Sequence, residues 1–111
     1  MDKLIIKGGS KISGSVNVHG SKNSALPIIV SSLLSKKTLK LSNVPNVVDV
    51  LNLIKLLKNY GVKIEHKKNK LKINPSKIKN LSADYDVVRK MRASILILGP
   101  LLSRFGEARI S

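Results

Sequence analysis

A lysine and an asparagine stand side by side in the stretch HGSKNSALPII, directly before an apolar run. Apolar residues recur at helical spacing over 24–34, with Ser24 as a candidate N-cap and Pro27 in the first turn. The first N–H groups of a helix have no partner within the helix, and they carry a positive potential. Lys22 and Asn23 would add a mobile cation and a hydrogen-bonding amide there, which is the chemistry of a site for a polar anion.

Two other interpretations of this stretch stay open. The helix could begin at Ser21 instead, in which case Pro27 would lie inside it and bend it. Alternatively, residues 20–23 form an ordinary solvated turn, because glycine, serine and asparagine are common in turns.

Arg92 is a second candidate ligand for an anion, and it stands at the start of a later apolar helix. The chain has 17 lysines and only four arginines, so an arginine two residues after Lys90 is not simply a product of composition. A guanidinium group binds phosphate or carboxylate through two parallel hydrogen bonds. We treat Arg92 as a candidate anion ligand, and the alternative is a solvated basic residue in a first turn.

The net charge favours one competing function. It is +15, from 21 basic and 6 acidic residues, which is typical of proteins that bind nucleic acid. Lysine, isoleucine and asparagine are all abundant, however, as an AT-rich coding sequence would give, and aromatic residues for base stacking make up only 3%. We therefore do not expect nucleic acid binding. A small basic protein that binds nucleic acid or an acidic partner is the alternative function.

Residue types also restrict metal, redox and membrane chemistry. The chain has no cysteine, and His19 and His66 are far apart, so we expect neither a metal site nor a cofactor. The longest apolar runs are too short to cross a bilayer, and the N-terminus does not resemble a signal peptide. These features predict a cytoplasmic protein that does not associate with membranes.

Hydrophobic periodicity predicts the element order β-β-α-β-α-β-β-α-β. Strands are predicted at residues 3–7, 12–19, 38–44, 62–67 and 70–75 and after Gly106, and helices at 24–34, 47–60 and 87–105. Asn46 is the predicted N-cap of the second helix and Gly61 the glycine after its end. Asn69 is placed in the turn of a hairpin.

A faint internal repeat joins the first and third helices. The matching residues are Lys22 and Lys90, Ala25 and Ala93, and the Leu-Leu-Ser runs 33–35 and 101–103. Each copy passes from a helix into a strand, which predicts a fold of repeated α/β units. The alternative is that buried helices are simply rich in leucine.

The segments GSKNSALPII, NVPNVVDV and MRASILILGPLLSRFGEARIS closely resemble the N-terminal part of the UDP-N-acetylglucosamine 1-carboxyvinyltransferase family of enolpyruvyl transferases. The resemblance runs along all 111 residues. In the sister family of the shikimate pathway a Lys-Ser pair is typical where Lys22 and Asn23 stand, so the asparagine favours the amino-sugar enzyme. Ser21 and Ser24 replace more usual alanines, and we expect these exchanges of small residues to leave the chemistry unchanged.

The resemblance implies an α/β (α+β) fold of repeated βαβ-type units in two similar domains, of which this chain holds an incomplete part. Residues 1–21 would be strands that complete the second domain, and residues 22–111 the truncated first part of the N-terminal domain. The implied reaction transfers the enolpyruvyl group of phosphoenolpyruvate to the 3′-hydroxyl of UDP-N-acetylglucosamine, in the first committed step of peptidoglycan synthesis.

The resemblance also implies roles for individual residues. Lys22 and Asn23 would bind phosphoenolpyruvate, and Arg92 would contact UDP-N-acetylglucosamine. The catalytic cysteine of the family (an aspartate in some members) lies beyond Ser111, so we expect no catalytic residue in this chain and no activity from it alone. The final run, EARIS, looks like a strand without a partner. We therefore expect the chain to be the front part of a longer polypeptide, whose remainder is its partner.

Overall fold

Helices and a three-stranded sheet follow an extended N-terminal segment in the computed structural model, which describes residues 2–79, 81, 88–89 and 92–109. The helices are α1 (Lys22–Ser31), α2 (Val48–Asn59) and α3 (Leu98–Phe105). Short 3-10 helices, Ser32–Leu34 and Arg92–Ile97, follow α1 and precede α3. The strands are β1 (Leu39–Leu41), β2 (Lys63–Lys67) and β3 (Lys70–Asn74).

The sheet is antiparallel in the order β1-β3-β2, and its two faces differ sharply. Alternate residues of β3, Leu71 and Ile73, are buried. Their cross-strand neighbours on β1 and β2 are partly buried, and all of them are apolar except His66. The residues between them are mostly lysines that face solvent. This period of two is the pattern that a sheet with one covered face requires.

A two-residue turn joins β2 to β3, as the sequence predicted for Asn69. Lys67 pairs with Lys70 across the turn, which leaves Lys68 and Asn69 as the connecting residues. Lys68 has φ of 51°, in the left-handed region that tight hairpin turns use. The hairpin prediction is therefore confirmed, with strand ends within one residue of those expected.

The end of α2 is a Schellman motif centred on Gly61. The N–H of Gly61 donates to the carbonyl of Lys58 at 2.9 Å, and the N–H of Val62 donates to that of Leu57 at 3.1 Å. Gly61 has φ of 93°, which a residue with a side chain rarely adopts. The predicted stop of this helix is confirmed. Its predicted N-cap is not, because Val47 rather than Asn46 occupies the N-cap position.

The third helical region is divided, where the sequence predicted one helix over 87–105. A 3-10 helix leads into α3 at Leu98, and Gly106, with φ of 76°, ends it as predicted. Of the strand predicted after Gly106, residues 110–111 lie outside the described residues, and Arg109 forms an isolated bridge in which its N–H donates to the carbonyl of Leu81 at 3.0 Å.

Arg104 of α3 ties this region to the end of the first one. Its Nη1 donates to the carbonyls of Leu33 and Ser35, each at 3.1 Å. These carbonyls belong to the C-terminal end of a helix, where a cation is favourable and donors are missing. The two segments that the internal repeat matches therefore lie against each other, and the matched leucines Leu33 and Leu101 are both fully buried.

The N-terminal segment does not form the strands predicted at 3–7 and 12–19. The described residues 2–20 contain no strand, and their apolar side chains lie in solvent. Ile5 is 88% exposed and Ile12 is 97% exposed. An extended run needs a neighbouring strand to become part of a sheet, and the described residues of this chain place no strand beside it.

The helices and the inner sheet face share one aliphatic core, and none of the described helices is long and apolar enough to cross a membrane. Tyr60 is the largest fully buried side chain, and its hydroxyl has no hydrogen-bond partner among the described residues. Burial raises the pKa of the Tyr60 phenol above its usual value of 10.0, because the charged form is poorly solvated there.

We predict that Tyr60→Phe leaves the free energy of unfolding at neutral pH within about 1 kcal/mol or raises it, because a buried hydroxyl without a partner is costly. The folded-state pKa of Tyr60 lies above the unfolded one, so its contribution is complete below pH 10 and is lost as the pH rises beyond it. Melting of both proteins from pH 7 to 11 should therefore show a steeper alkaline loss in the wild type. A large loss of stability at pH 7 in the variant would mean that the hydroxyl has a partner.

Candidate functional site

Lys22 is the first residue of α1, with Ser21 as the N-cap residue. The backbone of Ser21 is extended, and its carbonyl accepts the N–H of Ala25 at 2.9 Å, which closes the first helical turn. The predicted N-cap at Ser24 is therefore wrong, and the alternative start at Ser21 is close to the observed one. Lys22 and Asn23 lie within the first turn rather than before it, so their own N–H groups are among the donors that the helix leaves unpaired.

Pro27 lies inside α1 rather than in its first turn. Because proline has no N–H, the carbonyl of Asn23, four residues earlier, lacks its helical donor. Asn23 thus presents a side-chain amide and a backbone carbonyl at the start of the helix, and it is exposed. The combination offers donors and an acceptor beside the Lys22 ammonium group.

An ion pair joins Lys22 to Asp49, which the sequence did not predict. The Lys22 Nζ lies 2.8 Å from the Asp49 Oδ2, and the two side chains are 49% and 41% exposed. Asp49 belongs to the first turn of α2, so the pair brings the N-terminal ends of two helices together. A half-exposed pair of this kind adds about 1 kcal/mol or less to stability, so the ammonium group stays available to a ligand.

Arg92 begins the 3-10 helix that precedes α3. That helix packs against α1. The side chain of Arg92 and the whole of Lys90 lie outside the described residues. The structure thus brings together Lys22 and Asn23, and it does not place the Arg92 guanidinium group.

The Asn43 side chain fixes the backbone just before α1. Its Oδ1 accepts the N–H of Gly20 at 3.1 Å, and its Nδ2 donates to the carbonyl of Val18 at 3.2 Å. One amide side chain therefore replaces the two hydrogen bonds that a neighbouring strand would make. Asn43 has φ of 56°, in the left-handed region that asparagine tolerates better than most residues. The N–H of Val44 donates to the carbonyl of Asn69 at 2.8 Å, so the hairpin turn supports this loop.

Shallow depressions adjoin the segment just before α1 that the Asn43 side chain holds. One of about 120 Å³ is lined by residues that include Ser21 and Ser24, and one of about 560 Å³ by residues that include His19 and Asn46. A third, of about 440 Å³, lies over the outer face of the sheet. Lys22 lines none of these three depressions, although the smallest of them adjoins the first turn of α1 through Ser21 and Ser24.

The lysines do not gather on one face of the described structure. Five of them, Lys40, Lys63, Lys67, Lys70 and Lys72, cover the outer face of the sheet. Others lie on the N-terminal segment and on the exposed side of α2. This spread agrees with compositional bias and gives the nucleic acid alternative no support beyond net charge. No group of histidine and acidic residues among the described residues could hold a metal ion.

A family model described as EPSP synthase (3-phosphoshikimate 1-carboxyvinyltransferase) matches residues 6–111. The chain belongs to this family. Among its relatives, proteins named UDP-N-acetylglucosamine 1-carboxyvinyltransferase from Campylobacter hominis and from a Sulfurovum species are 53% and 52% identical to it and match all of it. The chain spans 27% and 26% of their lengths. The resemblance stated from sequence motifs is thereby confirmed.

The fold of this EPSP synthase family member also matches a solved enzyme. The crystal structure of the enolpyruvyl transferase NikO from Streptomyces tendae superposes with a TM-score of 0.76 at 22% identity, over 91% of this chain and 24% of that one. At this identity the likeness speaks for the fold alone. It confirms the predicted fold class, an α/β mixture that forms part of the enolpyruvyl transferase fold.

A glycine is needed at position 20 because a side chain would not fit there, and not because of its backbone conformation. A Cβ atom built at Gly20 would collide with the carbonyl oxygen of Asn43 and lie 3.3 Å from the Cδ of Pro45. The sequence marks this glycine only as part of a possible turn over residues 20–23, after the strand predicted at 12–19. A glycine directly before a helix start is a weak signal for such a contact, and nothing in the sequence pointed to Asn43 as its partner.

We predict that Gly20→Ala lowers the free energy of unfolding by about 1–3 kcal/mol, because the new methyl group must displace backbone rather than a flexible side chain. The measurement is thermal melting, and the matched control is Gly8→Ala, where a Cβ atom would meet nothing within 4 Å. Equal melting temperatures for the two variants would contradict the close approach of Gly20 to Asn43.

Proposed function

We propose that this chain is the front portion of an enolpyruvyl transferase that moves the enolpyruvyl group of phosphoenolpyruvate to the 3′-hydroxyl of UDP-N-acetylglucosamine and releases phosphate. The observation that carries the proposal is the 50–53% identity, along the whole chain, to proteins named for that activity. The Lys22-Asn23 pair, which the motif comparison links to the amino-sugar enzyme, supports it. The enzyme would act in the cytoplasm, in peptidoglycan synthesis.

The start of α1 would bind the phosphoenolpyruvate anion. Phosphoenolpyruvate carries a phosphate and a carboxylate, so its site must concentrate positive charge where water is partly excluded. The Lys22 ammonium group and the unpaired N–H groups of the first turn supply that charge together. Asn23 would orient the same ligand, and Arg92 would contact UDP-N-acetylglucosamine.

The groups that transfer protons would come from outside this chain. The reaction needs an acid for the methylene carbon of phosphoenolpyruvate and a base for the sugar hydroxyl. Among the described residues, Asp49 is the carboxylate that contacts Lys22, and it is engaged in an ion pair with that lysine. We therefore propose that the chain alone is inactive and that a catalytic loop with cysteine or aspartate lies in a further part of the polypeptide.

The N-terminal segment would complete a second domain. Its apolar residues alternate with polar ones as in a half-buried strand, yet Ile12 and Val16 are 97% and 89% exposed. Such residues gain stability only where a further sheet covers them. We propose that residues 1–21 supply strands to that domain and that residues 22–111 begin the N-terminal domain. The Asn43 side chain would hold the chain where it passes from one domain to the other.

The coding sequence tests the proposal most directly. Because the chain spans 26–27% of the relatives' lengths, we expect the reading frame to continue past Ser111 and to encode Pro-Gly-Gly-Cys or Pro-Gly-Gly-Asp soon after. Sequencing the downstream region of the gene is sufficient. A stop codon directly after Ser111 in an intact genome would refute the proposed transferase.

We predict that Lys22→Ala in the full-length polypeptide weakens phosphoenolpyruvate binding about ten- to a hundredfold, because a hydrogen bond to a charged group contributes roughly 1.5–3 kcal/mol. Lys22→Arg should restore only part of the affinity, since a planar fork does not reproduce a compact ammonium group. Isothermal titration calorimetry measures the affinities.

The control for charge loss is Lys55→Ala, an exposed lysine in the middle of α2. It should bind phosphoenolpyruvate like the wild type, and the melting temperatures of all variants should be similar. Unchanged binding by Lys22→Ala would exclude the assigned role. A large fall in its melting temperature would show instead that Lys22 is structural.

A further inference from the structure

The charge of Lys22 is poorly placed with respect to its own helix. The N-terminal end of a helix carries partial positive charge and favours acidic side chains, but the first turn of α1 reads Lys-Asn-Ser-Ala. A long flexible lysine there gains little from its own helix and is repelled by the N–H groups around it. A second element must therefore hold the ammonium group if it is to stay at the start of α1.

Asp49 meets this requirement from the neighbouring helix. Its carboxylate lies in the first turn of α2, where negative charge is favourable, and α2 packs against α1. The 2.8 Å contact between Asp49 and the Lys22 Nζ therefore places a negative charge at the positive end of α2 and a counter-charge beside the lysine at the start of α1. The acid compensates the charge that α1 cannot stabilise alone.

The pair leaves Lys22 able to bind a ligand. An ammonium group has three N–H donors, and Asp49 engages one of them. Both side chains are about half exposed, so the other donors can reach solvent or an anion. An asparagine at position 49 would keep the shape of the side chain but lose the charge that holds the ammonium group.

We propose that Asp49 is a positioning residue for Lys22: it holds the ammonium group at the start of α1, in the place where the substrate anion binds. The inference rests on the proposed function, since it takes Lys22 as a ligand of phosphoenolpyruvate. Asp49 acts through Lys22 and does not touch the substrate. The opposite possibility, that its negative charge repels the anion and weakens binding, predicts the opposite sign.

The experiment is a double-mutant cycle in the full-length polypeptide, with phosphoenolpyruvate affinity from calorimetry as the readout. Asp49→Asn should weaken binding about five- to tenfold in the wild-type background. In the Lys22→Ala background the same change should alter affinity less than about twofold, because the group to be positioned is gone. Asp49→Glu, which keeps the charge, should recover most of the loss.

Each result has a distinct meaning. Weaker binding that depends on Lys22 and is rescued by glutamate supports the positioning role. Equal or tighter binding by Asp49→Asn overturns it, and so does an equal loss in both backgrounds, which a general structural defect would give. If Lys22→Ala itself leaves affinity unchanged, the proposed role of Lys22 fails. If only Asp49→Asn leaves it unchanged, the proposed function stands and the positioning role alone is lost.

Discussion

The backbone of Gly20 lies directly against the carbonyl of Asn43, and the place of the first helix depends on that contact. With no side chain at position 20, the Asn43 amide can reach both Val18 and Gly20 and hold the chain as it enters α1. The loop that carries Asn43 is itself fixed to the hairpin turn at Asn69. A path of hydrogen bonds therefore runs from the hairpin turn to Gly20, two residues before Lys22, and helps to position the proposed anion site.

The N-terminal ends of α1 and α2, which meet at the Lys22–Asp49 ion pair, form a site that is suited to binding anions and to no other chemistry. They offer positive charge, free N–H groups and an amide, and the carboxylate in reach balances a lysine. Such an arrangement can bind and orient an anion, but it cannot by itself move protons to and from the reacting atoms. Binding and bond-making chemistry would thus be divided between segments of one polypeptide, as expected for an active site in a cleft between two domains.

The glycines that end helices and the hairpin turn were predictable from the sequence, whereas the N-caps of α1 and α2 and the contacts between distant residues were not. Gly61, Gly106 and the turn at Asn69 each have a local chemical reason, and the structure has all three as expected. Asp49 and Lys22, or Arg104 and the carbonyl of Leu33, meet across many residues of sequence, and no periodicity reveals such pairs.

The strands predicted at 3–7 and 12–19 are absent from the described residues for a related reason. The alternation of apolar and polar residues over 12–19 is a true strand pattern, but a strand exists only when something pairs with it. The N-cap of α1 was misplaced by three residues, at Ser24 instead of Ser21, because serine is a favourable cap residue at either position. The Asn43 contacts that hold residues 18–20 give no signal in the sequence.

The lysines on the sheet have a consequence for how copies of the chain meet. Both edge strands, β1 and β2, carry solvent-facing lysines, so two sheets that approached edge to edge would bring like charges together. The extended N-terminal segment has alternating isoleucine and valine side chains, several of them more than four-fifths exposed. Among the described residues, all the large apolar side chains that are more than four-fifths exposed belong to this segment, so we expect self-association to begin there. In the proposed two-domain arrangement that segment would be covered, which would leave the charged edges of this sheet to face neighbouring copies.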